Sequence, residues 1–192
     1  MLQLSKNILL ASKSPRRQQL LHDMGLQFKI VTKDTNENFS ALLVKQQIPV
    51  YLAEKKALAF ETEIGENDLI LTADTIVWVN NLVLNKPENE AEAFAMLRLL
   101  SGNMHQVFTG VCLKTKTEQL SFFDETKVWF KNITDDEIWH YIKNYKPFDK
   151  AGSYGAQDWI GLVGIEKIEG SYFNVMGLPV HKLYDYLKRF SA

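Results

Sequence analysis

The stretch from Ile8 to Met24, I-L-L-A-S-K-S-P-R-R-Q-Q-L-L-H-D-M, sets the tightest limits on how this chain can fold. Ile8 to Ala11 is a short apolar run that reads as a buried strand. Ser14 is a favoured helix N-cap residue and Pro15 suits the first helical position. Leu20, Leu21 and Met24 then recur at helical spacing, and Gly25 can end the helix. A strand, a tight turn and a helix start aim unpaired backbone N–H groups and the positive end of a helix dipole at one point. Two hydroxyls, Ser12 and Ser14, and three cations, Lys13, Arg16 and Arg17, converge there. The pattern suits an anion, above all a phosphate, although a capped helix start with surface bases is also common on its own.

Composition excludes several classes. The 192 residues suffice for one sizeable domain, 1–192, that divides into two lobes. Lys+Arg of 22 against Asp+Glu of 23 leaves a net charge of −1, without the basic stripe of a nucleic-acid-coating protein. Cys112 is the only cysteine, so no intrachain disulfide forms, which fits a reducing cytoplasm. No apolar run approaches the roughly 18 residues of a membrane span, and the N-terminal run is too short for a cleaved signal.

Further along, Phe28 to Thr32 reads as a second strand leading into an acidic loop, Asp34-Thr35-Asn36-Glu37, of the kind that is often only a solvated turn. Pro49 to Glu61 reads as a helix with Leu52, Ala53, Ala57 and Phe60 on its apolar stripe. Lys56 falls inside that stripe. Either its stem packs while the amine reaches water, or the amine reaches a site. Leu69 to Val79 is a β-branched, nearly continuous apolar strand with Asp74 in its middle. A buried carboxylate needs a cation, a metal or several donors, and a strand break at a site is one way to supply them. An Asp tying down a turn is the plainer alternative.

Asn80-Asn81 reads as a two-residue hairpin loop that returns Lys86 toward Asp74. A helix spans Glu90 to Leu100. Two strands, Gln106 to Lys114 and Leu120 to Lys131, flank a short turn, and Gly110 in the first marks a bulge or close backbone approach. His105 reads as a structural hydrogen-bonding residue. Thr134 to Glu137 is a capping box opening another helix. The Gly-rich loop Pro147 to Gln157 is a candidate binding loop. Leu162 to Ile168 reads as a buried strand, and a last helix starts near Pro179. The expected fold is α/β with a mixed, twisted sheet and flanking helices.

Seven segments in order resemble the Maf family of nucleoside triphosphate pyrophosphatases. They are S-K-S-P-R-R at Ser12–Arg17, E-K-K-A around Lys56, T-A-D-T at Thr72–Thr75 and N-K-P at Asn85–Pro87. L-S-G-N-M-H-Q-V-F-T-G-V follows from Leu100, D-K-A-G-S-Y-G-A-Q from Asp149 and G-S-Y-F-N-V-M-G-L-P from Gly170. The resemblance implies an elongated sheet and two lobes around a central cleft, as in inosine triphosphate pyrophosphatase, often as a homodimer. It implies hydrolysis of a nucleoside triphosphate to the monophosphate and pyrophosphate with a divalent metal, Mg²⁺ or Mn²⁺. It assigns Asp74 and Glu37 to catalysis and metal binding, Lys56 and Lys86 to phosphate charge, and Ser12, Ser14 and Arg17 to phosphate binding. Arg16, Thr75 and Gln157 match the branch that prefers dTTP and UTP, where they read the base. A sister branch acting on 7-methyl-GTP differs at these positions. The family's older name, septum formation inhibitor, carries the alternative of a nucleotide-binding cell-division regulator. Asn36 stands where a further acid is usual, and Ala156 where a larger aliphatic residue is common.

Overall fold

The computed structural model describes residues 2–191. Among the described residues seven strands, β1 (Asn7–Leu10), β2 (Phe28–Ile30), β3 (Asp68–Val79), β4 (Leu82–Leu84), β5 (Met104–Lys114), β6 (Gln119–Phe130) and β7 (Ile165–Glu169), form one mixed sheet in the order β2-β1-β3-β5-β6-β7, with β4 paired to β3. The chain divides into two compact units. Of the described residues, the first comprises 2–74, 109–124 and 177–191, and the second 75–108 and 125–176.

In the first unit, β1 (Asn7–Leu10) runs parallel to both β2 (Phe28–Ile30) and the start of β3 (Asp68–Val79). The register sets Leu10 against Leu71, and the Ala11 N–H still donates to the Leu71 carbonyl at 2.9 Å. Helix α1 (Pro15–Asp23) follows, buried through Leu20 and Leu21. Ser14 sits at its N-cap without a side-chain capping bond; its N–H donates instead to Ser12 Oγ at 3.2 Å. Gly25, with φ +72°, lets the chain turn away at the helix end.

Helix α2 runs Gln47–Leu58, two residues earlier at its start than the expected Pro49 and three earlier at its end. Pro49 is tolerated in this first turn, where its missing N–H has no intrahelical partner to lose. Ala53, Ala57, Phe60, Ile64, Ile70 and Cys112 pack as one apolar cluster beneath it. Gly110 is the close backbone approach that its place within a strand implies. A Cβ there would lie 2.4 Å from the Pro49 carbonyl carbon and the Val50 nitrogen, so α2 rests directly on the strand backbone.

β3 continues unbroken through Asp74, contrary to the expected strand break. Three strands, β3, β5 (Met104–Lys114) and β6 (Gln119–Phe130), each contribute residues to both units. In the second unit, Asn80 and Asn81 adopt φ of 48° and 62°, the left-handed pair that a two-residue hairpin needs. This loop pairs β4 (Leu82–Leu84) antiparallel to β3, with Val77 facing Leu84. α3 (Glu90–Leu100) and α4 (Asp135–Tyr145) are capped by Asn89 and by the Thr134–Glu137 box. Their buried residues join Val77, Val107, Phe130, Tyr154 and Ala156 in the unit's core.

One expectation fails here. Leu162 to Ile168 is not a buried strand. Trp159–Gly164 is a short helix, α5, and β7 begins only at Ile165 and ends at Glu169. Leu162 is 78% exposed, and β7 is a half-exposed strand at the end of the sheet order, pairing with β6. A short apolar run fits either state; here α5 packs against the preceding turn too closely for a side chain at Gly161. The turn-rich segment near Gly170 also contains a one-turn helix, α6 (Tyr172–Met176). The last helix, α7 (Val180–Leu187), buries Leu183 and Leu187 as its spacing predicts.

Candidate functional site

Lys56 is the centre of the polar cluster in the first unit. Its ammonium donates to Asp74 Oδ1 and lies 2.8 Å from Glu37 Oε1. The Lys56 and Asp74 side chains are only 17% and 13% exposed, so this is a desolvated pair, whereas Glu37 is half exposed. The local fold explains the meeting. Thr72 Oγ1 donates to the Ala53 carbonyl at 2.7 Å, tying β3 to α2 one helical turn before Lys56. The neighbouring Lys55 donates to the Asn38 carbonyl at 3.0 Å, so two successive lysines hold the loop that presents Glu37. Asn36 uses its amide oxygen to accept the Asn38 N–H at 2.7 Å. It shapes the turn around Glu37 instead of adding a carboxylate.

Arg17 reaches back from α1 to the same place. Its Nη1 donates to the Ala73 carbonyl at 2.8 Å and its Nε to the Gly177 carbonyl at 2.7 Å. Burial lowers the guanidinium pKa from its ordinary value, opposed by the nearby Asp74 charge. These carbonyl bonds orient the guanidinium beside Asp74, a bracing role that residue type alone does not reveal. Ser12 is buried at the carboxyl end of β1, its hydroxyl accepting the Ser14 N–H. Lys13 instead points to solvent and pairs with Asp34 at 2.9 Å. Arg16 is half-buried on the first turn of α1. Ends of parallel strands followed by helix starts are where α/β folds bind anions.

The remaining candidates belong to the second unit. Lys86 is exposed two residues past the end of β4. Gln157 is half-buried, and its Oε1 atom is fully buried without a hydrogen-bond partner among the described residues. A buried amide oxygen left unpaired is costly unless a ligand or water supplies a donor. Ala156 beside it is 5% exposed and part of the packed core. Tyr141, which helical spacing marks only as a core residue, and Asp158, which no motif singles out, both bond to this loop. His105 is structural, as expected. It is 1% exposed, shares a 2.7 Å hydrogen bond with the Tyr154 hydroxyl, and burial lowers its pKa to about 3.

For a divalent cation, the donor chemistry fits. Glu37 and Asp74 present carboxylate oxygens to one cationic centre, and Mg²⁺ commonly takes one or two carboxylates and completes its shell with substrate phosphates and water. Among the described residues, no group of three or more His, Cys, Asp or Glu side chains gathers as a cage supplied wholly by protein.

Residues 7–190 match the family described as Maf-like protein. A protein of Flavobacterium johnsoniae named dTTP/UTP pyrophosphatase is 51% identical over 180 residues, covering 94% of this chain and 93% of its own. One of the same name from Parabacteroides distasonis is 48% identical over 184 residues, covering 95% of each. Among solved structures, the Staphylococcus aureus Ham1 protein shares the fold with a TM-score of 0.50 at 15% identity, covering 96% of this chain and 99% of that one. A family match spanning nearly the whole chain, with relatives near half identity, leads to one assignment: the chain belongs to the Maf family.

Proposed function

We propose that this protein is a dTTP/UTP pyrophosphatase, cleaving the α–β phosphoanhydride to release a nucleoside monophosphate and pyrophosphate. The observation that carries the reading is the desolvated Lys56 ammonium held between Asp74 and Glu37. A lysine on a core-facing helix stripe and a carboxylate mid-strand satisfy each other there, and both groups suit phosphoryl chemistry. The names of the relatives support the substrate class.

In this reading Asp74 accepts a proton from the water whose oxygen attacks the α-phosphorus. The bond to the bridging oxygen breaks, and pyrophosphate leaves with that oxygen. Lys56 donates to phosphate oxygens and offsets charge as the bond breaks. Arg17, fixed on the Ala73 and Gly177 carbonyls, offers charge beside Asp74, and the backbone and hydroxyls of Ser12 and Ser14 bind phosphate. Lys86 carries further phosphate charge. Glu37 and Asp74 would hold Mg²⁺ or Mn²⁺, which supplies Lewis-acid neutralisation of the triphosphate when bound. Arg16, Thr75 and Gln157 read the base. The Gln157 amide suits thymine and uracil once its enclosed oxygen turns outward, because that oxygen can accept the ring N3–H while its NH₂ donates to the O4 carbonyl. We further propose a homodimer in a reducing cytoplasm, supported by the family resemblance and the single buried cysteine.

The test is to incubate the protein with a panel of canonical and modified nucleoside triphosphates and Mg²⁺ or Mn²⁺, and to identify the products. Pyrophosphate release with dTTP and UTP preferred is the expected result. Release of single phosphate, or a preference for 7-methyl-GTP, overturns it. Asp74→Asn should lower kcat by about 10²–10⁴-fold, the range for a positioned general base.

A further inference from the structure

Gly155 to Asp158 is a four-residue turn closed by the Asp158 N–H donating to the Gly155 carbonyl at 3.0 Å. Gln157 is its third residue. One oxygen outside the turn holds both of its ends. The Tyr141 hydroxyl, on α4, accepts the Gly155 N–H at 3.1 Å and donates to Asp158 Oδ2 at 2.7 Å. Tyr141 is fully buried, so this oxygen is rigidly placed. Lys150 Nζ lies 3.6 Å from the same Asp158 oxygen and 2.7 Å from Asp149 Oδ1.

Two features show that the carboxylate is built to face the tyrosine. Asp158 occupies the N-cap position of α5 yet makes no side-chain capping bond, the usual use of an Asp there. A Cβ on Gly155 would also lie 2.6 Å from Asp158 Oδ2, so only glycine lets the carboxylate fold back over the turn. From the other side, a Cβ on Gly161 would lie 2.1 Å from the Ala156 carbonyl oxygen, so the first turn of α5 packs directly on this turn. Burial and the Asp158 charge both raise the Tyr141 pKa, which keeps the phenol protonated as a donor. The Gln157 Oε1 atom has no partner among the described residues to aim it. The turn sets where the Gln157 backbone presents that side chain.

We propose that Tyr141 and Asp158 are positioning residues for base discrimination: the hydroxyl clamps both ends of the Gly155–Asp158 turn and so fixes the Gln157 amide against the pyrimidine edge. This rests on the reading of Gln157 as a base-contacting residue. Cytosine presents a bare N3 acceptor where thymine presents N3–H, so a correctly held amide oxygen rejects it. A loosened amide can rotate to accommodate either base.

The experiment measures kcat and KM for dTTP and dCTP, by pyrophosphate release, in the wild type, Gln157→Ala, Tyr141→Phe and the double variant. Tyr141→Phe should lower the dTTP-to-dCTP ratio of kcat/KM about tenfold, chiefly through a higher dTTP KM. In the Gln157→Ala background it should lower the ratio no further. A Tyr141→Phe enzyme that keeps the wild-type ratio, or that lowers it equally with and without Gln157, overturns the clamp. Absence of a wild-type preference, or an unchanged ratio in Gln157→Ala, instead refutes the reading of Gln157 on which the clamp rests. Should Tyr141→Phe fail to fold, Asp158→Ala opens the clamp at its other end and is judged by the same ratio. Asp158→Asn, which keeps an oxygen for the Tyr141 hydroxyl, should restore selectivity above that of Asp158→Ala.

Discussion

His105 shows how a single buried group writes itself into the stability of the protein. It lies edge-on to Phe130 and Tyr154 and shares a hydrogen bond with the Tyr154 hydroxyl, and burial holds its pKa near 3. In the unfolded chain the same imidazole titrates near 6.5. Between those values the unfolded state binds a proton that the folded state refuses, so stability rises with pH across this window. The contribution is complete above about pH 6.5 and is lost as pH falls toward 3, at roughly 1.4 kcal/mol per pH unit. A His105→Gln variant cannot take up this proton. It should be less stable than wild type at pH 7.5, where the Tyr154 partner is perturbed, and the gap should shrink by about 2 kcal/mol at pH 5. Urea denaturation of both proteins at the two pH values checks this, and a gap that stays constant contradicts it. Lys56 differs in its surroundings: its ammonium sits in a desolvated place facing two carboxylates, and its position within an apolar helix stripe makes the cost of that placement visible in the sequence itself.

At the scale of elements, the signals legible in the sequence are those confined to a few neighbouring residues. The β1–turn–α1 start, the Asn-Asn hairpin, the Thr134–Glu137 box and the closing helix each follow from local chemistry, and each is present. Elements fixed by tertiary packing are not legible. α5 lies where an apolar run reads equally as strand, and it packs Gly161 closely against the Ala156 carbonyl, an approach no pattern announces. The site divides the same way. Charged residues in apolar settings, Lys56 and Asp74, stand out by their cost, whereas Tyr141 looks like any core aromatic because its single polar atom is what matters. Gly110 links element packing to the site. An alanine there places a methyl inside the α2 backbone, and α2 carries Lys56. Gly110→Ala should cost at least about 1–3 kcal/mol, the usual range for overpacking, and should also lower dTTP turnover by shifting Lys56 from Asp74. Thermal unfolding and steady-state rates on the same preparation test both halves. Unchanged activity alongside lost stability would show that α2 yields without moving its lysine.

For the molecule as a whole, charge is the property that separates a nucleotide enzyme from a nucleic-acid-binding regulator. The chain carries 22 basic and 23 acidic side chains for a net charge of −1, yet the first unit brings Arg17 and Lys56 to Asp74. Many of the remaining lysines are spent on local acids, as in Lys33–Glu63, Lys116–Glu66, Lys127–Glu169 and Lys188–Asp185. A polyanion needs the reverse arrangement. Non-specific affinity for DNA grows with the number of phosphates neutralised along a track, and it falls steeply with salt. A small cationic focus ringed by acids can satisfy one triphosphate but cannot follow a backbone. Fluorescence anisotropy with a labelled duplex of about 20 base pairs, at low and physiological salt, should therefore show no saturable binding at micromolar protein. dTTP with Mg²⁺ should still be hydrolysed under both conditions, with kcat/KM only modestly lower at the higher salt, because buried groups such as Lys56 and Asp74 are weakly screened. A tight complex with DNA that dissolves as salt rises would instead favour the regulator, and would mean that a basic surface assembles in a form of the protein that the single chain does not display.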